Sequence, residues 1–132
     1  MSERLALDTD AAVDFIRDDR RTPPPISRVE QIVLPVTVLG ELFQGAESSV
    51  RPERNRAVIE ALLEQWQPLL PTIETARIYG RIRAAVFQRT ANLSVSKRND
   101  LWIAAVCIQY ELPLLTNDAG YDAVPGLTVI HW

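Results

Sequence analysis

The sequence predicts an α/β fold with a central, mainly parallel sheet of about four to five strands flanked by helices. Short apolar segments alternate along the chain with longer segments of helical spacing, which is the pattern of a parallel sheet with crossover helices. The strand segments are apolar throughout, as expected where both faces of a sheet are covered. A length of 132 residues suits one domain with a substantial core. We therefore predict a single domain over residues 1–132.

Five short apolar segments are predicted as strands. The first, LALD, ends on an acid, and the second carries Pro35 near its end, where a strand tolerates proline. The third, PLLPTI, reads as a short strand or an extended link, whereas LPLLT and LTVIHW are clear strands. The predicted strands cover residues 5–8, 32–36, 68–73, 112–116 and 127–132.

Five segments are predicted as helices because their apolar residues recur at helical spacing. Pro52 is well placed for a first helical turn. The fourth helix is expected to bury one face, formed by Ala76, Tyr79, Ile82 and Val86. Residues 18–25 form a proline-rich connector that no helix can cross, and residues 91–96 are expected to be a loop. The predicted helices cover residues 11–17, 38–46, 52–66, 74–89 and 99–110.

Composition excludes some classes of protein and favours others. No run of about 18 apolar residues exists, so no membrane span is expected. The start, MSERLALD, lacks a secretory signal, and the single cysteine, Cys107, lies in an apolar segment, so we expect a reducing, cytoplasmic setting. The net charge of −3 argues against binding of nucleic acid by bulk charge, but arginines can still form a local phosphate-binding surface.

Acidic residues follow two of the predicted strands at the edge where parallel sheets place their sites. Asp8 and Asp10 come just after the first strand, and Asp118 comes just after LPLLT. Glu41 lies one turn into the helix after the second strand, among apolar neighbours where an acid needs a partner. Asp100 precedes the apolar run 101–108, but its helix comes before a strand, so the sequence leaves its place in the fold open.

Converging carboxylates would raise one another's pKa values unless a cation neutralised them. Oxygen ligands suit Mg²⁺ or Mn²⁺, and the sequence lacks the His and Cys cluster that zinc prefers. A metal ion held by carboxylates beside arginines is suited to the cleavage of phosphodiester bonds.

Five segments together resemble the PIN-domain ribonucleases, in particular the VapC toxins of toxin–antitoxin pairs. They are LALDTD, TVLGELFQGA, ARIYGRIRAAV, NDLWIAA and LPLLTNDAGYDAVPGLTVIHW, in the order and spacing of that family. The resemblance implies a metal-dependent endoribonuclease that uses Mg²⁺ or Mn²⁺, acts on RNA, is covered by a small antitoxin protein and forms a homodimer.

The resemblance also implies roles for individual residues. The catalytic and metal-binding acids would be Asp8, Glu41, Asp100 and Asp118. Supporting positions would be Thr116, Asn117 and Asp10. The connector 20–30, with its three prolines, and the basic segment 94–98 depart from the family pattern. Within that basic segment Lys97 and Arg98 are candidates for contact with RNA, although such residues are more often a solvated loop.

Taken singly, these acids have structural explanations. Asp8 suits a helix cap, Asp100 suits the first turn of a helix, and Asp118 suits a turn.

Two other classes of function stay open. Asp8-Thr9-Asp10 after a strand is similar to the D-x-D of haloacid dehalogenase-type phosphatases, which form an aspartyl phosphate, and a PIN fold can also serve as a non-catalytic module that binds RNA or protein.

Overall fold

The computed structural model describes residues 4–17, 31–89 and 95–132, with the side chains of residues 87–89 and 95–98 outside the description. The connector 20–30 therefore lies outside the described residues. The strands are β1 (Arg4–Leu7), β2 (Gln31–Pro35), β3 (Gln67–Leu69), β4 (Leu114–Leu115) and β5 (Val129–Ile130). The α-helices are α1 (Thr9–Arg17), α2 (Val36–Glu47), α3 (Pro52–Leu62), α4 (Ile73–Arg89) and α5 (Val95–Gln109). A 3₁₀ helix spans Ala119–Ala123.

The five strands form one sheet in the order β3-β2-β1-β4-β5, and every neighbouring pair is parallel. This confirms the predicted α/β fold. All five apolar segments contribute a strand, and PLLPTI does so one residue early, through β3. No helix in the described parts of the chain is long and apolar enough to cross a bilayer.

The order of the strands creates one point where the chain connections diverge. From β1 the chain moves outward to β2 and β3, and it then returns to pair β4 with the other side of β1. A crevice forms at such a point, outside the carboxyl ends of the strands. Asp8 directly follows β1, and Thr116 directly follows β4. The topology therefore brings these two residues to the same crevice.

Helix α5 is the buried helix that the sequence predicted. Residues 103–107 are all buried, and α5 packs against α4, α2 and β2. Its start differs from the prediction, because it begins at Val95 rather than at residue 99. The segment VSKRN contains no glycine or proline to stop the helix. Asp100 therefore lies in the second turn, where the helix dipole no longer accounts for it.

The buried face of α4 also differs from the prediction. Ala76 is exposed, and the buried side chains are Thr75, Ile78, Ile82 and Val86. Thr75 can be buried because its hydroxyl donates a hydrogen bond to the side-chain oxygen of Gln109 on α5.

Helix α3 is shorter than predicted. It ends at Leu62, and Trp66 lies beyond it in a turn that leads into β3. The Trp66 ring remains in the core, with its centroid 4.7 Å from that of Phe15. Pro52 lies in the first turn of α3, as predicted.

Two glycines provide a matched test of how backbone conformation affects the stability of the fold. Gly126, between β4 and β5, has φ +86°, and Gly80 lies inside α4; a Cβ at either position would meet no atom within 4 Å. We expect Gly126→Ala to lower the free energy of unfolding by about 1–2 kcal/mol, because an L-residue is strained at positive φ. Gly80→Ala should raise it by about 0.5–1 kcal/mol through helix propensity. Urea unfolding of both variants measures this, and equal stabilities would contradict the prediction.

Candidate active site

The crevice between β1 and β4 contains a buried carboxylate held by both strands. Asp8 is only 4% exposed. Its Oδ1 accepts a hydrogen bond from the backbone N–H of Ala11 at 2.9 Å, so Asp8 also caps α1. Its Oδ2 accepts from the Thr116 hydroxyl at 2.5 Å. The same hydroxyl oxygen accepts from the backbone N–H of Asp118 at 3.0 Å, which ties the segment after β4 to the segment after β1.

The environment of Asp8 disfavours its charged form. Burial raises the pKa of Asp8 from 3.8 to about 6, and the nearby charges of Asp10 and Asp100 add to this rise. Hydrogen bonds from Thr116 and Ala11 act in the opposite direction. The second turn of α5 thus brings Asp100 within electrostatic range of Asp8, which settles the position that the sequence left open.

Two further groups from the core lie near Asp8. Burial raises the pKa of the Cys107 thiol to about 12, and the charge of Asp8 adds to this rise. Burial likewise raises the pKa of Tyr121, and the nearby charges of Asp100 and Asp8 add to this rise. Both groups therefore stay neutral at physiological pH, and Cys107 is a core residue, as predicted.

Tyr121 is a residue of this site that the sequence analysis missed. It lies in the 3₁₀ helix and is 3% exposed, so it is buried beside the acids. The signal available in the sequence was a lone aromatic residue inside the small and polar segment AGYDA, which is the pattern of a side chain that anchors a turn.

Glu41 lies on α2 with a polar atom that lacks a partner. Its Oε1 is buried and has no hydrogen-bond partner among the described residues, and the same holds for Oγ1 of Thr9. Both side chains line a cleft of about 270 Å³ formed by residues of α1, α2 and α3. A buried acceptor without a partner costs about 1–3 kcal/mol, so a ligand that contacts it is favoured.

Three of the remaining predicted residues are less buried than Asp8. Asp118 is half-buried, and its Oδ1 accepts from the backbone N–H of Gly120 at 2.8 Å, so it makes the turn that its sequence context suggested. Asp10 and Asn117 are exposed. The side chains of Lys97 and Arg98 lie outside the described residues.

The structure places some of the predicted site residues near Asp8 and, among the described residues, shows no hydrogen bond between Asp8 and others. Asp8 and Thr116 share one buried region, which the charges of Asp10 and Asp100 also reach. No described hydrogen bond joins the carboxylates of Glu41 or Asp118 to that region. Within the described residues, no three His, Cys, Asp or Glu side chains are close enough together to hold a metal ion.

The donor chemistry of the site fits a small, hard cation. Its polar atoms are carboxylate and hydroxyl oxygens, and one of them, Oε1 of Glu41, has no partner within the described part of the chain. Mg²⁺ commonly keeps several waters and takes only one or two protein carboxylates together with phosphate oxygens of a substrate. A site without three assembled protein ligands is compatible with that mode of binding.

Thr116 offers a direct test of this electrostatic arrangement. Thr116→Val keeps the shape of the side chain but removes the hydroxyl that donates to Asp8 and accepts from Asp118. We expect the pKa of Asp8 to rise further above 6, because a hydrogen bond to the charged form is lost. The free energy of unfolding should fall by about 1–3 kcal/mol. A ¹³C titration of the Asp8 carboxyl measures the first effect, and an unchanged or lower pKa would contradict it.

Comparisons with known proteins agree with this architecture. Residues 5–127 match the PIN domain. Ribonuclease VapC2 of Haemophilus influenzae is 32% identical over 135 residues, which cover 98% of each chain. The tRNA(fMet)-specific endonuclease VapC of Salmonella typhimurium is 30% identical over 95 residues, which cover 71% of this chain and 70% of that one.

Solved structures show the same fold. A DNA-bound VapBC complex from Salmonella typhimurium contains a chain with a TM-score of 0.83 and 26% identity, with 98% of each chain covered. A chain of VapBC-1 from nontypeable Haemophilus influenzae matches with a TM-score of 0.82 at 23% identity, again over 98% of each chain.

The chain belongs to the PIN-domain family of α/β proteins. Within that family it is of the VapC ribonuclease type, which confirms the resemblance seen in its sequence.

Proposed function

We propose that this protein is a divalent-metal-dependent endoribonuclease, the toxin of a toxin–antitoxin pair. The observation that carries the proposal is the buried carboxylate of Asp8, which is held at the switch point of the sheet within electrostatic range of Asp10 and Asp100. Such a concentration of negative charge is costly in a protein interior unless a cation shares the site. The names of the relatives, ribonuclease and endonuclease, support RNA as the substrate.

The acids would hold Mg²⁺ or Mn²⁺ through oxygen atoms. The proposed ligands are the carboxylates of Asp8, Glu41, Asp100 and Asp118, which would contact the ion directly or through its bound waters. Asp10 would add negative charge. When bound, such an ion supplies an activated water and stabilises charge on the phosphate oxygens. Thr116 keeps the Asp8 carboxylate oriented, and the Asp118 segment stays fixed because its backbone N–H donates to the same hydroxyl. Lys97 and Arg98 are proposed contacts for RNA, and Asn117 is a proposed support of the acids.

The proposed partners follow from the relatives. A matching solved structure from Klebsiella pneumoniae is a toxin–antitoxin complex, and another, VapBC-5 from Mycobacterium tuberculosis, belongs to a family of toxin–antitoxin systems. These matches support a small antitoxin as partner of this chain. The cleft beside Glu41 combines apolar residues with the polar groups of Thr9 and Arg17, so an antitoxin segment bound there would cover part of the candidate site. We further propose a homodimer in the cytoplasm.

The proposal is tested by a cleavage assay on total tRNA and rRNA. We expect cleavage with Mg²⁺ or Mn²⁺ and at least about a hundredfold loss in excess chelator, because water activation by the ion is lost. Readdition of Mn²⁺ should restore the activity. Cleavage that persists in chelator would contradict metal dependence. Mn²⁺ binding by calorimetry without cleavage of any RNA would favour the non-catalytic binding module.

A further inference from the structure

We propose that His131 is a positioning residue for the candidate active site, and that its doubly protonated ring fastens the segment between Thr116 and Asp122 to the end of β5. The inference rests on the proposed function, because that function assigns Asp8 and Asp118 to the metal-binding site. His131 is the only histidine of the chain, and the family resemblance gives it no role.

The ring of His131 bridges the two ends of the segment that follows β4. Its Nδ1 lies 2.8 Å from the carbonyl oxygen of Thr116, and its Nε2 lies 2.9 and 3.2 Å from the two carboxylate oxygens of Asp122. A carbonyl oxygen and an ionised carboxylate accept hydrogen bonds and donate none. Both ring nitrogens must therefore carry a proton for both contacts to be hydrogen bonds, so the geometry calls for an imidazolium ring.

The bridged segment carries two groups of the candidate site. The Thr116 hydroxyl donates to Asp8 and accepts from the backbone N–H of Asp118 at 3.0 Å. The carbonyl of Asp118 in turn accepts from a backbone N–H of the 3₁₀ helix at 3.3 Å. His131 closes this chain of hydrogen bonds, because it holds the Thr116 carbonyl at one end and the Asp122 carboxylate at the other. The positions of Asp118 and of the Thr116 hydroxyl relative to Asp8 therefore depend on the ring.

A side-chain contact has a large influence here because the strand pairing around it is short. β4 and β5 are two residues long each. Past them, the N–H of Thr116 donates to the carbonyl of Ile130 at 2.9 Å, so Thr116 is held by β5 through its N–H and by His131 through its carbonyl. The contact with Asp122 is exposed to solvent and adds little to the free energy of unfolding, so its effect is on the position of the segment.

The charges around His131 make this contact depend on pH. Within the described residues, the charged group that faces the ring is the Asp122 carboxylate, and the other partner is the neutral carbonyl of Thr116. The hydrogen bond to Asp122 raises the pKa of His131 from 6.5, desolvation opposes this rise, and the hydrogen bond to Thr116 adds to it. The contact is therefore complete below the pKa of the unfolded chain, about 6.5, and is lost as the pH rises through the higher pKa of the folded protein.

The variant Asp122→Asn tests this charge requirement. An amide can accept from a ring N–H or donate to a ring lone pair, so the introduced side chain keeps the contact in both protonation states of His131. We expect the ratio of the wild-type kcat to the variant kcat on RNA with Mg²⁺ to be about one at pH 6 and to fall to about one-third or less at pH 9. Titration of the other acids acts on both proteins and cancels in this ratio. A ratio that stays constant over this range overturns the inference.

The variant His131→Phe removes both ring nitrogens and keeps an aromatic ring. The loss of a group that orients metal-binding residues typically costs about 10–100-fold, so we expect Mn²⁺ binding to the RNA-free protein to weaken about tenfold and kcat on RNA to fall about 10–100-fold at an unchanged KM. A matched control is Gln31→Met, which removes a side-chain hydrogen bond of 2.7 Å to Gln67 at the amino ends of β2 and β3. The control should match the wild type, and equal Mn²⁺ affinity and kcat in the two variants overturn the inference.

Two measurements in chelator, without RNA, separate this inference from the proposed function. In protein without a histidine tag the imidazole ¹⁵N resonances belong to His131 alone, and a titration midpoint at or below 6.5 overturns the inference. The ¹³C titration of the Asp8 carboxyl should move to a higher pKa in His131→Phe and stay in place in Gln31→Met, because the Thr116 hydroxyl loses its fixed position. Equal Asp8 titrations in the two variants also overturn it. If the wild type neither binds Mn²⁺ nor cleaves RNA, the proposed function fails, but these two measurements still decide the role of His131.

Discussion

Replacement of Asp8 by Asn should lower the rate of RNA cleavage at least about a thousandfold, which corresponds to a loss of about 4 kcal/mol of transition-state stabilisation. Asp8 is the most buried of the candidate acids, and both of its oxygens are held by hydrogen bonds. The substitution removes the negative charge that would attract the cation and keeps nearly the same side-chain shape. The measurement is kcat/KM on the RNA that the wild type cleaves, with Mg²⁺ and with Mn²⁺.

The matched control for this loss is Asp14→Asn. Asp14 lies on α1, further from the carboxyl end of β1, is half-buried and does not line the cleft beside Glu41. The Asp14→Asn variant should cleave RNA at a rate within about twofold of the wild-type rate, because changes away from a site have small effects. If Asp8→Asn cleaves RNA as fast as Asp14→Asn, the assignment of Asp8 to the catalytic site is wrong.

The same Asp8→Asn substitution should stabilise the fold at neutral pH in chelator, by up to about 3 kcal/mol. The pKa of Asp8 is raised from 3.8 to about 6 by burial, so the folded protein binds this proton more tightly than the unfolded chain. Ionisation of Asp8 therefore costs stability as the pH rises from about 4 to about 6, at about 1.4 kcal/mol for each tenfold difference in proton affinity. Asn carries no charge at any pH and escapes this cost, apart from a smaller loss at the Thr116 hydrogen bond.

Urea unfolding and thermal unfolding across the pH range check both the sign and the pH window of this effect. At pH 7.5 the variant should unfold at a temperature roughly 5–10 °C above the wild type. Well below about pH 4 the gain in stability from the missing charge should vanish, because Asp8 is then protonated in the folded and the unfolded chain. Saturating Mn²⁺ should stabilise the wild type more than the variant. A variant less stable than the wild type at pH 7.5 would contradict the raised pKa. A stable variant without activity would show that the loss of cleavage is not a loss of folding.

The sequence by itself determined the class of the fold and where in it part of the candidate site lies. Apolar strands that alternate with helical segments require a parallel sheet covered on both faces, and the described sheet has this form. Asp8 and Asp118 could be assigned to the carboxyl edge because each comes shortly after a strand, and the direction of a strand fixes where its end lies. The burial of residues 103–107 was equally readable, since an unbroken apolar run leaves no polar face for solvent.

Only the tertiary structure decided how distant parts of the chain meet. Asp100 comes within electrostatic range of Asp8 because α5 packs beside β2 and α2, which no local rule specifies. Tyr121 comes within electrostatic range of Asp100 because the 3₁₀ helix that carries it is held by hydrogen bonds to the ends of β4 and β5. The burial of Thr75 similarly depends on Gln109, 34 residues away in the chain. Local patterns encode strand, helix and solvent preference, whereas contacts between residues far apart in sequence arise only when the packed elements fix their relative positions.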